Sequence, residues 1–596
     1  MDRERVVNTH PMRANFIEWI PFEAGKSVVV PNTVKEPVLE MLKAKNLQLQ
    51  VLSPAHIEKL ALNPGTGALD YILVLGMEVN EAIVKGLMRK LKPDGRLVLQ
   101  VHNTFGLSYF AGKPAGFQDY YGAIEKATEK SAFYSLRGLE QLLKNAGVEA
   151  YNRYYLDPDS DYAVHVFSDA YLPKAGDIVK RVYNANYDRL MMFEEADAFA
   201  HAVKDDMYPV FANDYLIVTG DKLPQAMVRY SNDRAGAYQM KTEILALESG
   251  FEVRKTALSK EGDAHLRQME ASCQKLATQY EGVFAIAPCT YEAGKLTFPF
   301  VNGETLSAKM EEALKQEDIE TIFDLFHAFL RKLRAGKTMD FANYDFVFGN
   351  ILIDGDVWNV IDYEWTVDEA VKAEELAFRA AYCFYLEHKD FPFSDICDIL
   401  GFDTKEVERL IGKESDYQNQ VTAGADSLSM ICTKEGGDVY TKEMLLRALE
   451  LATSDNRMQV YEDQGTGFSE AHSYFVSQAL TSATEATLSL KVSAGMKALR
   501  IDPCEEPCIV QVKKVYWNDQ EVYIDNKITS NGVKGKGGKN SYAELIFATS
   551  DPNFTIALSQ LENAVGSQNT IQIQFELHKI SLQLANTLQR SVKRII

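Results

Sequence analysis

Between Tyr344 and Trp365 three oxygen-bearing side chains are set around two short apolar runs. Asp345 and Asn350 stand five positions apart ahead of Ile351-Leu352-Ile353, and Asp362 follows twelve positions later, after Val360-Ile361. With this spacing a loop and a strand end can come together. What converges there is a carboxylate able to take a proton from a hydroxyl, and two oxygen ligands suited to Mg²⁺ beside nucleotide phosphates. Asp345 is the candidate base; Asn350 and Asp362 are the candidate metal pair. The competing reading has the Asp and Asn side chains simply closing turns.

The flanking sequence changes character in an order that fits the first reading. From about residue 211, Tyr215–Thr219 and Gln225–Tyr230 read as antiparallel strands around Gly220-Asp221-Lys222. A helix is expected over Ala237–Glu248 and a long helical stretch over Ala308–Ala335. The segment 400–495 reads as mostly helical. Small strands followed by long helices make an α+β module of two lobes. With its Asp-x4-Asn loop and strand-end Asp, this stretch resembles the protein kinases and the small-molecule kinases related to them. The resemblance implies ATP and Mg²⁺ as cofactors. It places Arg229 on the strand that carries the ATP-binding lysine and Glu243 on the following helix as its partner. It also makes Phe298-Pro299-Phe300-Val301-Asn302-Gly303 the interlobe hinge, with Phe300 at the adenine. The His and Arg that usually precede the catalytic Asp are replaced by Asn343 and Tyr344, and Arg for Lys is not a neutral exchange.

Residues 1–175 have a different rhythm. Strands are expected at Ser27–Val30, Leu47–Leu52, Tyr71–Gly76 and Arg96–Val101, and helices at Val34–Ala44, Glu81–Leu91 and Leu136–Asn145, the last stopped by Gly147. This alternation implies a doubly wound parallel sheet, an α/β Rossmann-like domain. The runs Phe16–Phe22, Asp70–Gly76, Leu91–Asn103 with Phe105–Gly112, Tyr154–Asp159 and Phe167–Pro173 resemble class I S-adenosylmethionine-dependent methyltransferases. However, the first strand leads into Pro31-Asn32-Thr33-Val34-Lys35 rather than a glycine-rich turn, and Leu52-Ser53-Pro54 stands where an acid would hold the ribose. Loss of S-adenosylmethionine binding is the expectation.

The remainder reads as a linker at 176–210, a small β domain at 496–576 and an amphipathic helix at 577–596, which packs on its own domain, starts a coiled coil as an oligomer contact, or touches a membrane surface. The β domain includes Asn531–Lys539, a glycine-rich stretch read as a hairpin loop because no helix follows it. Trp517 and Tyr523 are weighed as sugar-stacking residues against the commoner core role. A zinc site at Cys504 and Cys508 would need two more ligands nearby, and reduced thiols are the plainer reading. Charged residues make up 25% of the chain and the net charge is -21, which excludes a nucleic-acid binder. No apolar run nears the roughly 20 residues that span a bilayer, and the N-terminus lacks an apolar leader, so a cytoplasmic or peripheral inner-face location is expected.

A methyltransferase-like domain ahead of a kinase-like one resembles the bifunctional methyltransferase–kinases of bacterial O-antigen assembly, over about residues 10–400. The resemblance implies a glycan or lipid-linked glycan substrate and polysaccharide assembly proteins as partners. The alternatives are an active methyltransferase on the same glycan and a scaffold without catalysis.

Overall fold

In the computed structural model the described residues run from His10 to Ile595. They exclude 114–121, 126–129, 179–188, 424–438, 445–457, 536–542, 559–567 and several shorter stretches. The chain divides into two compact units, Met1–Lys442 and Glu443–Ile596.

The first unit begins with β1 (Ser27–Pro31), α1 (Glu36–Ala44), β2 (Gln48–Leu52), β3 (Leu69–Leu75), α2 (Glu81–Met88) and β4 (Leu91–Asn103). Val28, Val29 and Val30 are fully buried on both faces, as an apolar strand of a covered parallel sheet should be. Asn80 caps α2 by accepting from the Ile83 amide at 3.0 Å, and Ser135 caps α3 (Leu136–Asn145) through the Gly138 amide at 3.1 Å. Gly147 follows α3 at φ +77, the left-handed conformation that ends many helices. These elements match the expected rhythm within a few residues.

After α3 come β5 (Tyr151–Asp157), β6 (His165–Ser168), β7 (Asp214–Thr219), β8 (Gln225–Ser231), β9 (Met240–Leu247), β10 (Gly250–Ala257), α4 (Gly262–Gln279), β11 (Thr290–Glu292) and β12 (Lys295–Pro299). Here the structure corrects the sequence reading. Ala237–Glu248 is not a helix but mostly β9, paired to β8 and β10 along its length. The strands at 214–219 and 225–231 do not pair with each other. β7 lies between β4 and β5, whereas β8 lies between β6 and β9, so the first expected strand of the two-lobed module belongs to the N-terminal one.

The consequence is one thirteen-stranded sheet, in the order β11-β12-β10-β9-β8-β6-β5-β7-β4-β3-β1-β2, with Phe133–Tyr134 branching from β4. The joint is the β6–β8 ladder, where Met227, Val228 and Arg229 face Phe167, Val166 and His165.

Beyond β12 the chain enters a second lobe: β13 (Glu304–Thr305), α5 (Leu306–Lys315), α6 (Ile319–Ala335), β14 (Ile351–Asp354), β15 (Val357–Val360), α7 (Ala373–Glu387) and α8 (Thr404–Val421). The expected single helix over Ala308–Ala335 is broken at Gln316–Asp318, where Asp318 caps α6 through the Thr321 amide at 3.1 Å. α8 ends at Val421. Of the helical segment expected to 495, residues 424–438 and 445–457 lie outside the described residues, and Met458–Asp463 and Glu485–Ser493 are strands. Of the expected linker, residues 179–188 lie outside the described residues, and Glu195–Lys204 is a helix.

The second unit is two antiparallel sheets, five- and seven-stranded, sharing one apolar core that contains Val460, Ile501, Val510, Phe547, Ile556 and Phe575. Trp517 is 6% exposed, so it is core rather than a sugar platform, while Tyr523 is 66% exposed. Val533–Gly535 pairs back on Ala543–Phe547 as a hairpin; the tip of the glycine-rich loop lies outside the described residues. The closing helix starts at Leu582, five residues later than expected, because Gln568–Lys579 continues as strand. It packs on its own domain: Ala585 is buried and Gln589 Nε2 donates to the Ile546 carbonyl at 2.7 Å. No helix among the described residues is long and apolar enough to cross a membrane.

Candidate active site

Asp345 is fixed by backbone geometry on both sides. Ala342-Asn343 pairs antiparallel with Thr366-Val367, and the Tyr344 amide donates to the Trp365 carbonyl at 2.7 Å. The Asp345 carboxylate then accepts from the Glu364 and Trp365 amides at 3.0 and 3.2 Å. Asn350 reaches back with its side-chain amide to the Asp345 carbonyl at 3.1 Å, which closes the loop ahead of β14. Asp362 and Glu364 follow β15 two positions apart, and both carboxylates come to the Asp345 cluster. Tyr363 between them points into the core, fully buried, with its hydroxyl on the Ala287 carbonyl at 2.8 Å.

Carboxylate oxygens of Asp345, Asp362 and Glu364 lie within 4.8 Å of one another. Lys255, buried on β10, answers this charge: its ammonium stands 2.6 Å from Asp362 and 3.8 Å from Glu364. Arg234 adds a guanidinium 2.6 Å from Glu364, and His265 on α4 donates from 3.3 Å. Against burial, which favours its protonated form, Glu364 is held well below the usual carboxylate range by Lys255 and Arg234. Asp345 goes the other way. Burial first, then the Asp362 and Glu364 carboxylates, push it up to about 7. A carboxyl with that value is matched to exchanging protons near neutrality.

The structure therefore brings Asp345, Asn350 and Asp362 together as the sequence spacing implied. Arg229 and Glu243 are not with them. Arg229 is exposed on β8, opposite Thr242 and His165, and Glu243 is on β9, where Gln225 Nε2 meets it at 3.5 Å. The cations at the cluster are Lys255, two strands further on, and Arg234 in the loop after β8. Phe300 does lie between β12 and β13, at the junction of the large sheet with the second lobe, but its ring packs against Phe251 at 5.3 Å and Tyr171 at 6.1 Å. Lys255 and Glu364 escaped the sequence reading. The legible signals were a Lys on the strand just before the first long helix, and the alternation in Asp362-Tyr363-Glu364.

The residues fit a divalent cation. Asp362 Oδ1 is buried with no hydrogen-bond partner, and the Asn350 side-chain carbonyl accepts no hydrogen bond from the described residues. Two uncommitted oxygens beside a carboxylate cluster are what a hard metal recruits.

A second cleft, of about 410 Å³, opens at the carboxyl ends of β1, β3 and β4. Thr33, Val34 and Lys35 project into it after β1, and Leu52 ends β2. The donor set for S-adenosylmethionine is thus incomplete among the described residues: side chains line the turn the cofactor would approach, and β2 ends in Leu52 rather than in a carboxylate for its ribose. In a chain of net charge -21, the described lining of this cleft nevertheless presents Arg13, Lys35, His102 and Lys113 with the carboxylate of Asp161. His102 Nδ1 bonds the buried Asp214 at 2.6 Å, and Lys113 meets Asp159 at 2.7 Å.

No protein-family model matches the chain, and no curated protein does. Among solved structures, a SAM-dependent methyltransferase from Archaeoglobus fulgidus aligns with 37% of this chain and 95% of its own, at 15% identity and a TM-score of 0.23. Geranyl diphosphate C-methyltransferase from Streptomyces coelicolor aligns with 35% of this chain and 78% of its own, at 15% identity and a TM-score of 0.20. The ADP-bound aminoglycoside phosphotransferase APH(2'')-Ib aligns with 33% of this chain and 93% of its own, at 11% identity and a TM-score of 0.16.

Proposed function

We propose that the two-lobed module is an ATP- and Mg²⁺-dependent phosphotransferase acting on a hydroxyl of a bacterial surface glycan or its lipid-linked precursor. The observation that carries the reading is the 2.6 Å contact between Lys255 of one lobe and Asp362 of the other, beside Asp345 and Asn350. Asp362 and Asn350 would hold the metal, which when bound neutralises charge on the nucleotide phosphates. Asp345 would orient the acceptor hydroxyl and take its proton as the new P–O bond forms, the β–γ bridging bond breaks and ADP leaves. The glycan as acceptor rests on the resemblance of the two-domain order to O-antigen methyltransferase–kinases. Incubation with labelled ATP and a panel of glycan acceptors tests it. Transfer that is lost in Asp345→Asn supports the reading, and a wild-type protein that binds no Mg·ATP removes it.

A methyltransferase reading of the N-terminal module has the 410 Å³ cleft in its favour. The incomplete donor set makes a scaffold the better description, and a flat titration with S-adenosylhomocysteine is the expected result.

A further inference from the structure

The loop that would cover nucleotide phosphates, residues 232–239 between β8 and β9, holds a single glycine, Gly236. A glycine-rich loop cradles phosphates with backbone amides; this one is committed elsewhere. The Ala235 amide donates to the Val421 carbonyl of α8 at 2.8 Å, and Gln239 Nε2 ties down the Asn232 and Arg234 carbonyls at 3.1 and 2.9 Å. Tyr238 packs between His265 and Trp365, with centroids at 5.0 and 4.9 Å. From the N-terminal module, Asn15 Nδ2 holds the Asn232 side chain at 2.9 Å. The loop is thereby strapped from both ends across the mouth of the site.

What the strap delivers is Arg234. Its Nη1 is 2.6 Å from Glu364 Oε1, and its guanidinium lies 5.1 Å from the Trp365 ring centroid. Glu364 has both oxygens engaged: Oε1 by the Arg234 guanidinium and the His265 ring, and Oε2 by the Lys255 ammonium at 3.8 Å. It is an anchor for cations rather than a metal ligand. A guanidinium carries five N–H donors in a planar fork, and one bond to Glu364 leaves several for a ligand beside the Asp345–Asp362 cluster. Lys255 is already spent on Asp362.

We propose that Arg234 is the phosphoryl-binding cation of this site, that the strapped loop delivers it in place of a glycine-rich cradle, and that Glu364 is its positioning residue. The inference rests on the phosphotransferase reading and adds a group to it. A transferred phosphoryl spreads negative charge over three oxygens, and a fixed planar fork is well matched to them.

Calorimetry on the full chain separates the possibilities, with Mg·ADP and Mg·β,γ-imido-ATP as probes. Wild type should prefer the triphosphate analogue. Arg234→Gln should lose that preference, by about tenfold to a hundredfold for a charge-assisted contact, while ADP affinity stays as in wild type and so reports an intact site. Arg234→Lys should recover only part, since it restores charge but not the fork. Equal weakening of both nucleotides, or tighter ADP binding as if a plug had been removed, overturns the assignment and leaves the phosphotransferase reading standing. A wild-type chain that binds neither nucleotide defeats both.

Discussion

Replacing Asp345 by Asn is expected to lower phosphoryl transfer by roughly 10²–10⁴-fold while nucleotide affinity holds, because Asn keeps the volume and can still accept from the Glu364 and Trp365 amides. Single-turnover assays beside calorimetry read the two quantities separately. Lys255 makes a sharper contrast. Lys255→Met strips the buried cation from two carboxylates, and should cost roughly 3–5 kcal/mol in denaturant unfolding along with nucleotide affinity. Arg229→Gln, on the exposed face of β8, should change nucleotide binding little. If the two variants exchange these phenotypes, Arg229 and not Lys255 serves the nucleotide. The residues legible in sequence were those whose spacing is local: Asp345, Asn350 and Asp362 lie within eighteen positions on one loop and one hairpin. Lys255 reaches Asp362 across 107 positions, and no local pattern encodes that contact.

At the scale of elements, the misread stretch was Lys241–Leu247, whose Lys, Glu, Leu and Ala all favour helix. Pairing on both edges, with β8 and β10, overrides that preference, as strand context commonly does. The N-terminal elements were readable because their period and their caps agree. Close packing was not readable. Gly86 of α2 sits where an added Cβ would come 2.2 Å from the Ala61 carbonyl of the neighbouring helix Pro54–Leu62. Gly86→Val is therefore expected to destabilise the fold by roughly 1–3 kcal/mol in a denaturant titration.

The His102–Asp214 pair joins β4 to β7 directly across the ladder. Burial disfavours the imidazolium, yet the Asp214 carboxylate outweighs it and raises His102 above its ordinary 6.5. A raised folded value means this stabilisation is complete below pH 6.5 and is lost as pH rises through the folded value. Asp214 shows the opposite sign. Despite burial it is held down to about 2 by His102, so its share is present above 3.8 and fades as pH falls toward 2. Thermal unfolding from pH 6 upward should show an alkaline loss in wild type that His102→Gln lacks; parallel curves would contradict this.

For the whole molecule, the unit boundary near 442 is the practical one. Residues 1–442 expressed alone should retain the nucleotide affinity of the full chain, by the same calorimetry. Residues 211–495, the span suggested by sequence rhythm, should not yield a soluble protein. That span takes β7 away from β4 and β5 and opens the β6–β8 joint, leaving unpaired edges on both pieces.

The shared sheet has a mechanical consequence as well. The lobe carrying Lys255 is one end of a continuous β plate whose other end is the N-terminal module. The β6–β8 ladder ties the two ends together through Met227, Val228 and Arg229. An opening at Phe298–Gly303 would swing the helical lobe against that sheet. Whatever clamps the N-terminal module to a surface or a larger assembly would also fix the reference frame in which that jaw moves.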